Sequence, residues 1–295
     1  MTRAKRAFIA LSRIGPLVLA ASLLPGLLRG PDAAPRGAEP AAIIQLQDIP
    51  GAGKGLEASV NGHPALFLFD TGEGLSTLTP GFAQTMGCKP WGQTTGFRMS
   101  GERLDLPRCD DIHFGISGQT YIAPTAGVFD IMPLLPDSQT VLAGSLGLDI
   151  FAGRRITIEP ASNRIIVESP GSFAERIRTA KAVPGRLVRD AEGAALAVAA
   201  AVPTRSGTAW MELDTGNGGT LVIGKHVAEL LGLDPSQNGP QDARFYLAGN
   251  IPIEGSARVR DLIMDGNIGR SALAGWNLTL DLSTGQVWMA PAPQA

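Results

Sequence analysis

The stretch Phe67-Leu-Phe-Asp-Thr-Gly-Glu-Gly-Leu75, FLFDTGEGL in one-letter code, places a carboxylate at the end of a strongly apolar run. An apolar run of this length that ends on glycine predicts a buried strand followed by a turn. An ionised carboxylate in such a place is costly unless hydrogen bonds compensate. Asp-Thr-Gly can be an ordinary turn, because aspartate and glycine both favour turns. Alternatively, Asp70 belongs to a site that uses a buried acid.

The motif recurs as MELDTGNG around Asp214, which lies 144 positions after Asp70. Two further blocks recur in the same order. FRMSG at 97–101 resembles FYLAG at 245–249, and the 24 residues that begin at Gly144 align without gaps on those that begin at Gly266. Three matched blocks in one order predict an internal duplication with two similar halves.

Both halves are typical of β structure, since short alternating apolar runs are separated by glycine and proline. Asn61-Gly62 predicts a hairpin turn. One short helix is expected after each motif, in PGFAQTMG from Pro80 and in GKHVAELLG from Gly224. The predicted fold class is all-β, with two similar lobes and one short helix in each.

The composition predicts a chain with a sizeable core and two lobes, because 44% of its 295 residues are hydrophobic and 18% are charged. We expect an N-terminal lobe at 46–168, an inter-lobe connection at 169–185 and a C-terminal lobe at 186–291. Residues 31–45 are expected to be a linker.

Residues 1–30 have the layout of a signal peptide, since Arg3, Lys5, Arg6 and Arg13 precede an apolar segment without any acid. An uncleaved anchor is the alternative, although the apolar run is shorter than the roughly 20 residues of a membrane span and contains Pro25. The predicted location is therefore the periplasm or the exterior. Without these 30 residues, which hold five of the 25 basic and none of the 27 acidic residues, the formal charge is −7. Nucleic acid is excluded as a partner on this ground.

Two carboxylates that meet across a pseudo-twofold axis cannot both ionise at close range, so they share one proton. The ionised member can activate a water molecule while the protonated member donates to the departing group. Such chemistry requires no metal, cofactor or covalent intermediate. His63, His113 and His226 lack the spacing of metal ligands.

At these motifs the sequence resembles the aspartic proteases, and their retropepsin-like branch more closely than the pepsins. The resemblance implies closed β-barrel lobes, a catalytic dyad of Asp70 and Asp214, and a peptide or protein substrate. A monomer suffices, because one chain supplies both aspartates. The resemblance further implies that Thr71 and Thr215 bond across the axis, that Gly72 and Gly216 allow close backbone approach, and that two hairpin tips cover the cleft. The flap candidates are Met99, Ser100 and Gly101 in the first half, and Leu247, Ala248 and Gly249 in the second.

The chain departs from the family pattern in two places. The residue after each motif is usually small in the family, but here it is Glu73 or Asn217. Glu73 either raises the dyad's pKa values by like-charge repulsion or points to solvent. The second departure is that only one apolar residue precedes the downstream glycines, in Leu146-Gly147 and Ile268-Gly269.

The sequence leaves alternatives for the state of the two cysteines and for the function. Cys88 and Cys109 form a disulfide after export, or they are two small buried thiols. An exported, catalytically silent peptide-binding protein would keep the same double barrel. A glycosidase with two carboxylates is disfavoured, because aromatic residues for sugar stacking make up only 5% of the chain.

Overall fold

The computed structural model describes residues 38–293. The predicted signal peptide at 1–30 and its alternative, a retained anchor, lie outside the described residues. Among the residues that are described, no helix has both the length and the apolar character needed to cross a membrane.

The fold is all-β, as predicted, and its strands form three sheets. In chain order the strands are β1 Ala42–Gln45, β2 Gln47–Ile49, β3 Gly53–Val60, β4 His63–Phe69, β5 Thr77–Leu78, β6 Trp91–Phe97, β7 Arg103–Ile116, β8 Gln119–Val128, β9 Gly144–Leu146, β10 Arg155–Glu159, β11 Arg164–Val167, β12 Lys181–Val183, β13 Gly185–Val188, β14 Ala197–Thr204, β15 Gly207–Asp214, β16 Leu221–Gly224, β17 Gln241–Leu247, β18 Ile251–Arg260, β19 Gly266–Gly269, β20 Trp276–Asp281 and β21 Val287–Pro291.

Short helices lie between these strands. The α-helices are α1 Pro80–Thr85, α2 Pro170–Ile177, α3 Lys225–Ala228 and α4 Arg270–Leu273, and single 3₁₀ turns span Met132–Leu134, Leu148–Phe151, Pro160–Ser162, Ala191–Gly193 and Glu229–Leu231. The helices α1 and α3 confirm the prediction of one short helix after each motif.

The N-terminal sheet has the order β2-β3-β4-β9-β5-β8-β7-β6, and it closes into a barrel where β3 pairs with β7. Inward-facing aromatic side chains fill this barrel, with Phe67 packed edge-on against Phe114 at 5.7 Å between ring centroids. Asn61 and Gly62 both have positive φ in the tight turn between β3 and β4, as a two-residue hairpin requires.

The C-terminal sheet repeats this arrangement. Strands β14, β15, β19, β16, β18 and β17 follow the same order, with the same sequence of antiparallel and parallel neighbours, as β3, β4, β9, β5, β8 and β7. The second barrel closes differently, because the Ala248 N–H donates to the Ala201 carbonyl at 2.8 Å where the first has a paired ladder.

A six-stranded sheet with the order β1-β11-β10-β20-β21-β12 joins the lobes. Its central strands β10 and β20 are antiparallel and place Thr157 opposite Thr279, with their hydroxyl oxygens 2.9 Å apart. Each strand therefore has a counterpart across the centre of this sheet, and the pseudo-twofold axis passes between the two threonines.

Two segments outside the predicted lobes have regular secondary structure in this sheet or beside it. Residues 42–45, expected to be linker, form β1, and the expected connection at 169–185 contains both α2 and β12. The strands β1 and β12 occupy the two equivalent edges of the sheet. Each is too short to show a clear alternating pattern, so its pairing partner, rather than its own sequence, determines the strand.

The two cysteines are joined. Cys88, which follows α1, forms a disulfide with Cys109 in β7 across a sequence separation of 21. The bridge therefore connects the end of α1 with β7, the second strand of the β6–β7 hairpin.

Candidate active site

The two Asp-Thr-Gly loops meet between the lobes because each follows the same strand of its barrel. Asp70 comes directly after β4, where its N–H donates to the Leu146 carbonyl at 3.0 Å, and Asp214 ends β15, paired with Gly269 of β19. A parallel neighbour thus holds each aspartate at the carboxyl end of its strand.

The threonines lock the two loops together. The Thr71 N–H donates to Thr215 Oγ1 at 3.1 Å, and the Thr215 N–H donates to Thr71 Oγ1 at 2.9 Å. The Thr71 hydroxyl also donates to the Leu213 carbonyl at 2.6 Å. Both threonines are buried, so these bonds are shielded from competition with water.

The glycines allow the loops to come close enough for this. A Cβ atom added at Gly216 would lie 2.0 Å from Asp70 Oδ2, and one added at Gly72 would lie 2.5 Å from Asp214 Cγ. Each glycine therefore lies against the aspartate of the other lobe. No residue with a side chain fits at either position without displacing a carboxylate.

One backbone group links the two carboxylates. The Gly216 N–H points at Asp214 Oδ1 at 2.8 Å and at Asp70 Oδ1 at 3.0 Å. Burial, followed by the charges of Asp214 and Glu73, raises the pKa of Asp70 well above its usual range. The pair can therefore hold a proton at pH values where an exposed aspartate has lost it.

Glu73 is half-buried, and its carboxyl group bonds to side chains of the first lobe. Its Oε1 accepts from the Ser145 hydroxyl at 2.5 Å and lies 3.3 Å from the Thr77 hydroxyl. Burial raises the pKa of Glu73 to about 7, although these two hydrogen bonds oppose the shift. Of the two alternatives for Glu73, the structure favours the one in which its charge acts on the dyad.

The second lobe has amides where the first has Glu73 and Ser145. The Asn217 side chain donates from Nδ2 to Asn267 Oδ1 at 2.8 Å, and Asn267 Nδ2 donates to Asp214 Oδ2 and, at 3.2 Å, to Glu212 Oε2. The Asn217 N–H adds a further bond to Asp214 Oδ1 at 2.8 Å. Asp214 thus accepts hydrogen bonds on both of its oxygens.

Glu212 lies two residues before Asp214 and is buried. Burial, and then the charge of Asp214, raises the pKa of Glu212 to about 8, against the effect of its bond from Asn267. Glu212 is therefore protonated and neutral over most of the physiological pH range.

A third buried acid supports the first lobe. Asp149 accepts from the Ser76 N–H at 2.9 Å and from the Ser76 hydroxyl at 2.6 Å, while the Gly147 N–H donates to Ser76 Oγ at 3.0 Å. Burial raises the pKa of Asp149 to about 6, opposed by the bonds from Ser76. This network ties the loop after β9 to the loop after the motif.

The first flap candidate is the turn of a hairpin that contacts the C-terminal lobe. Met99, Ser100 and Gly101 form the turn of the β6–β7 hairpin, and the Ile263 N–H donates to the Met99 carbonyl at 3.0 Å. On the same hairpin, the Phe97 N–H donates to Asp190 Oδ2 at 2.9 Å. Two hydrogen bonds therefore connect this hairpin of the N-terminal lobe to the C-terminal lobe.

The second flap candidate is corrected. Leu247, Ala248 and Gly249 form the turn between β17 and β18, which corresponds in topology to the β7–β8 turn and not to the β6–β7 turn. The Ala248 N–H closes the second barrel. FYLAG is thus not the structural counterpart of FRMSG, because β17 and β18 occupy the places of β7 and β8 in the sheet order.

Three side chains near the dyad were not among the predicted site residues, namely Ser145, Glu212 and Asn267. A signal was present for each. Ser145 and Asn267 occupy the positions at which the downstream pattern lacks its first apolar residue, and Glu212 is the polar residue inside the second apolar run. Within residues 38–293, no group of three or more His, Cys, Asp or Glu side chains is arranged to hold a metal ion.

Residues 56–150 match the family model described as aspartyl protease. The match contains Asp70 and ends before Asp214, so it supports an aspartic-protease type for the first lobe. No curated protein matches the chain. The assignment of the second lobe therefore depends on the geometry that places Asp214 beside Asp70.

Gly216→Ala tests the contact between the loops. The added methyl group would displace the Asp70 carboxylate, so we expect a loss of activity of about 100-fold or more and a destabilisation of about 1–3 kcal/mol. Peptide cleavage and chemical denaturation measure the two effects. The matched control is Gly239→Ala, where nothing lies within 4 Å of an added Cβ. Equal behaviour of the two variants would contradict the role given to Gly216.

Glu73→Gln tests the charge beside the dyad. Where Glu73 is ionised, its charge contributes to raising the pKa of Asp70, and the neutral amide removes this effect while keeping an acceptor for Ser145. We therefore expect the alkaline limb of the pH–activity profile to move to lower pH by about 0.5–1 unit. Glu57→Gln, at an exposed position of β3, makes the same charge change and should leave the profile in place. A Glu73 variant with the parent's profile would refute the coupling.

Glu212→Gln tests how the ionisation of this buried acid affects the free energy of unfolding. Because its pKa is raised from 4.5 to about 8, Glu212 contributes stability that is complete below about pH 4.5 and is lost as the pH rises through about 8. The variant should match the parent near pH 4 and exceed it near pH 9, by on the order of 3 kcal/mol. Thermal unfolding across this range measures the difference, with the exposed Glu229→Gln as control. A difference that does not depend on pH would exclude the titration of Glu212 as its cause.

Proposed function

We propose that this chain is an exported aspartic endopeptidase that hydrolyses peptide bonds with a water molecule held between Asp70 and Asp214. The observation that carries the proposal is the reciprocal contact of the two loops, in which each glycine lies against the opposite aspartate and one N–H reaches both carboxylates. The aspartyl protease match over residues 56–150 supports it independently.

The surroundings assign different roles to the two aspartates. Asp70, whose pKa is raised, is the acid that carries the shared proton. Asp214 accepts from Gly216, Asn217 and Asn267, and these donors suit it to act as the base. The distinction arises from the side chains around the dyad, since the backbone of the two loops is nearly equivalent.

The reaction then proceeds without a covalent intermediate. Asp214 takes a proton from water as the water oxygen attacks the carbonyl carbon, and Asp70 donates its proton to the carbonyl oxygen. The tetrahedral intermediate breaks down when Asp214 protonates the departing nitrogen and a hydroxyl of the intermediate returns its proton to Asp70. The C–N bond breaks, the carboxyl group forms, and the dyad regains its starting protonation.

The remaining features follow from this activity. A peptide substrate would enter between the dyad and the β6–β7 hairpin, for which the bonds from Ile263 and to Asp190 have to rearrange. A monomer is sufficient, because both aspartates belong to one chain. The Arg- and Lys-containing apolar start of the sequence and the Cys88–Cys109 bridge support export.

Asp214→Asn tests the function. The parent should cleave an unbiased peptide library between about pH 3 and 8 and should be inhibited by a statine-containing peptide, a mimic of the tetrahedral intermediate. The variant should fold and lose turnover by about 10³-fold or more, because an amide cannot accept the proton of water. Circular dichroism and thermal unfolding verify its folding.

Cleavage by the folded variant at the parent's rate would refute the proposal. A folded parent that binds library peptides without cleaving them would instead support the alternative, a catalytically silent peptide-binding protein. Asp70→Asn, the equivalent change in the other lobe, provides the matched variant, and both substitutions should abolish turnover.

A further inference from the structure

A cavity of about 360 Å³ lies between the lobes, beside the Asp-Thr-Gly loops. Phe69 and Thr215, the neighbours of the two aspartates, line it together with Leu46, Ile158 and Leu273. Neither aspartate and no residue of the β6–β7 turn belongs to its lining. The cavity is therefore separate from the reacting atoms, although it touches the backbone that carries them.

Arg270 lies at this cavity with its charge uncompensated. Its Nη1 is 3.4 Å from the Thr215 carbonyl, and a Cβ atom added at Gly53 of the first lobe would meet Nη1 at 2.3 Å. Among residues 38–293, no carboxylate oxygen lies within 4.0 Å of the Arg270 guanidinium. Lys54, the other cation in the lining, differs because it pairs with Asp48 at 2.6 Å.

We propose that this cavity binds a small monocarboxylate with an apolar tail. The guanidinium matches a carboxylate in charge and in its planar, two-donor geometry. The aliphatic and aromatic side chains of the lining would cover the tail, which gains free energy by leaving water. The volume is at the lower end of the roughly 300–1,000 Å³ found for small-molecule sites, so it fits a ligand of this size and not a folded partner.

The charged residues of the lining also favour a ligand with one carboxylate over a ligand with two. A ligand with one carboxylate neutralises Arg270 and leaves the Lys54–Asp48 pair intact. A dianion would bring a second negative charge toward the apolar lining or toward Asp48, at a desolvation cost. The site therefore selects a single charge at one end of an apolar body.

Octanoate is the probe, and 1-octanol is its uncharged counterpart. Isothermal titration calorimetry and thermal unfolding with each compound should show that octanoate binds the full chain and raises the unfolding temperature, while octanol binds at least about tenfold more weakly. The measurements use the Asp214→Asn variant as well as the parent, so binding is scored independently of peptidase activity. Failure of the proposed function thus leaves this test intact.

Arg270→Gln should weaken octanoate binding by about tenfold or more and should leave octanol binding unchanged, because it removes the charge and keeps the apolar lining. Arg205→Gln, at an exposed position outside the lining, is the matched control and should bind octanoate like the parent. Ala161→Trp, at the exposed edge of the cavity, should weaken both ligands by filling the space.

Two results would overturn the proposal. Equal binding of octanoate and octanol by the parent would show that the cavity does not distinguish a carboxylate from an uncharged group. Octanoate binding that survives both Arg270→Gln and Ala161→Trp would place the ligand elsewhere on the protein.

Discussion

The close approach of the two Asp-Thr-Gly loops governs how the two lobes are arranged. Gly72 lies against Asp214 and Gly216 lies against Asp70, so the space of each missing side chain is taken by a carboxylate from the opposite lobe. The threonine bonds and the shared Gly216 N–H exist only at this separation. Two barrels of matching topology and a sheet common to both lobes are the means of holding it.

The two departures from the family pattern are the polar residue after each motif and the polar residue two positions before each downstream glycine. In each lobe these two residues are hydrogen-bonded to each other. In the first lobe, Glu73 accepts from Ser145, and in the second, Asn217 donates to Asn267. Each pair joins the residue after a motif to the polar residue that replaces an apolar one downstream. A buried polar group is costly without a partner, and within each pair the two side chains provide hydrogen-bond partners for each other.

The pairs also make the two halves chemically different. The carboxyl of Glu73 adds negative charge beside Asp70, whereas the amides of the second lobe bring hydrogen-bond donors to Asp214. Matching backbones thus carry unequal side chains. In the proposed reaction, which needs one acid and one base, this inequality would distinguish the two aspartates before a substrate binds.

Strand alternation, turn chemistry and motif spacing are local properties, so the amino-acid sequence predicts the all-β class, the Asn61-Gly62 hairpin and the helix after each motif, and it identifies Asp70 and Asp214 as candidates. The direction of Glu73, the hydrogen bonds of Glu212 and Asn267, the strands β1 and β12, and the barrel closure at Ala248 are visible only in the folded chain. These features depend on partners between 47 and 125 positions away in the chain. Local pattern does not encode such pairings, since the residues acquire their partners only when the barrels close and the lobes meet.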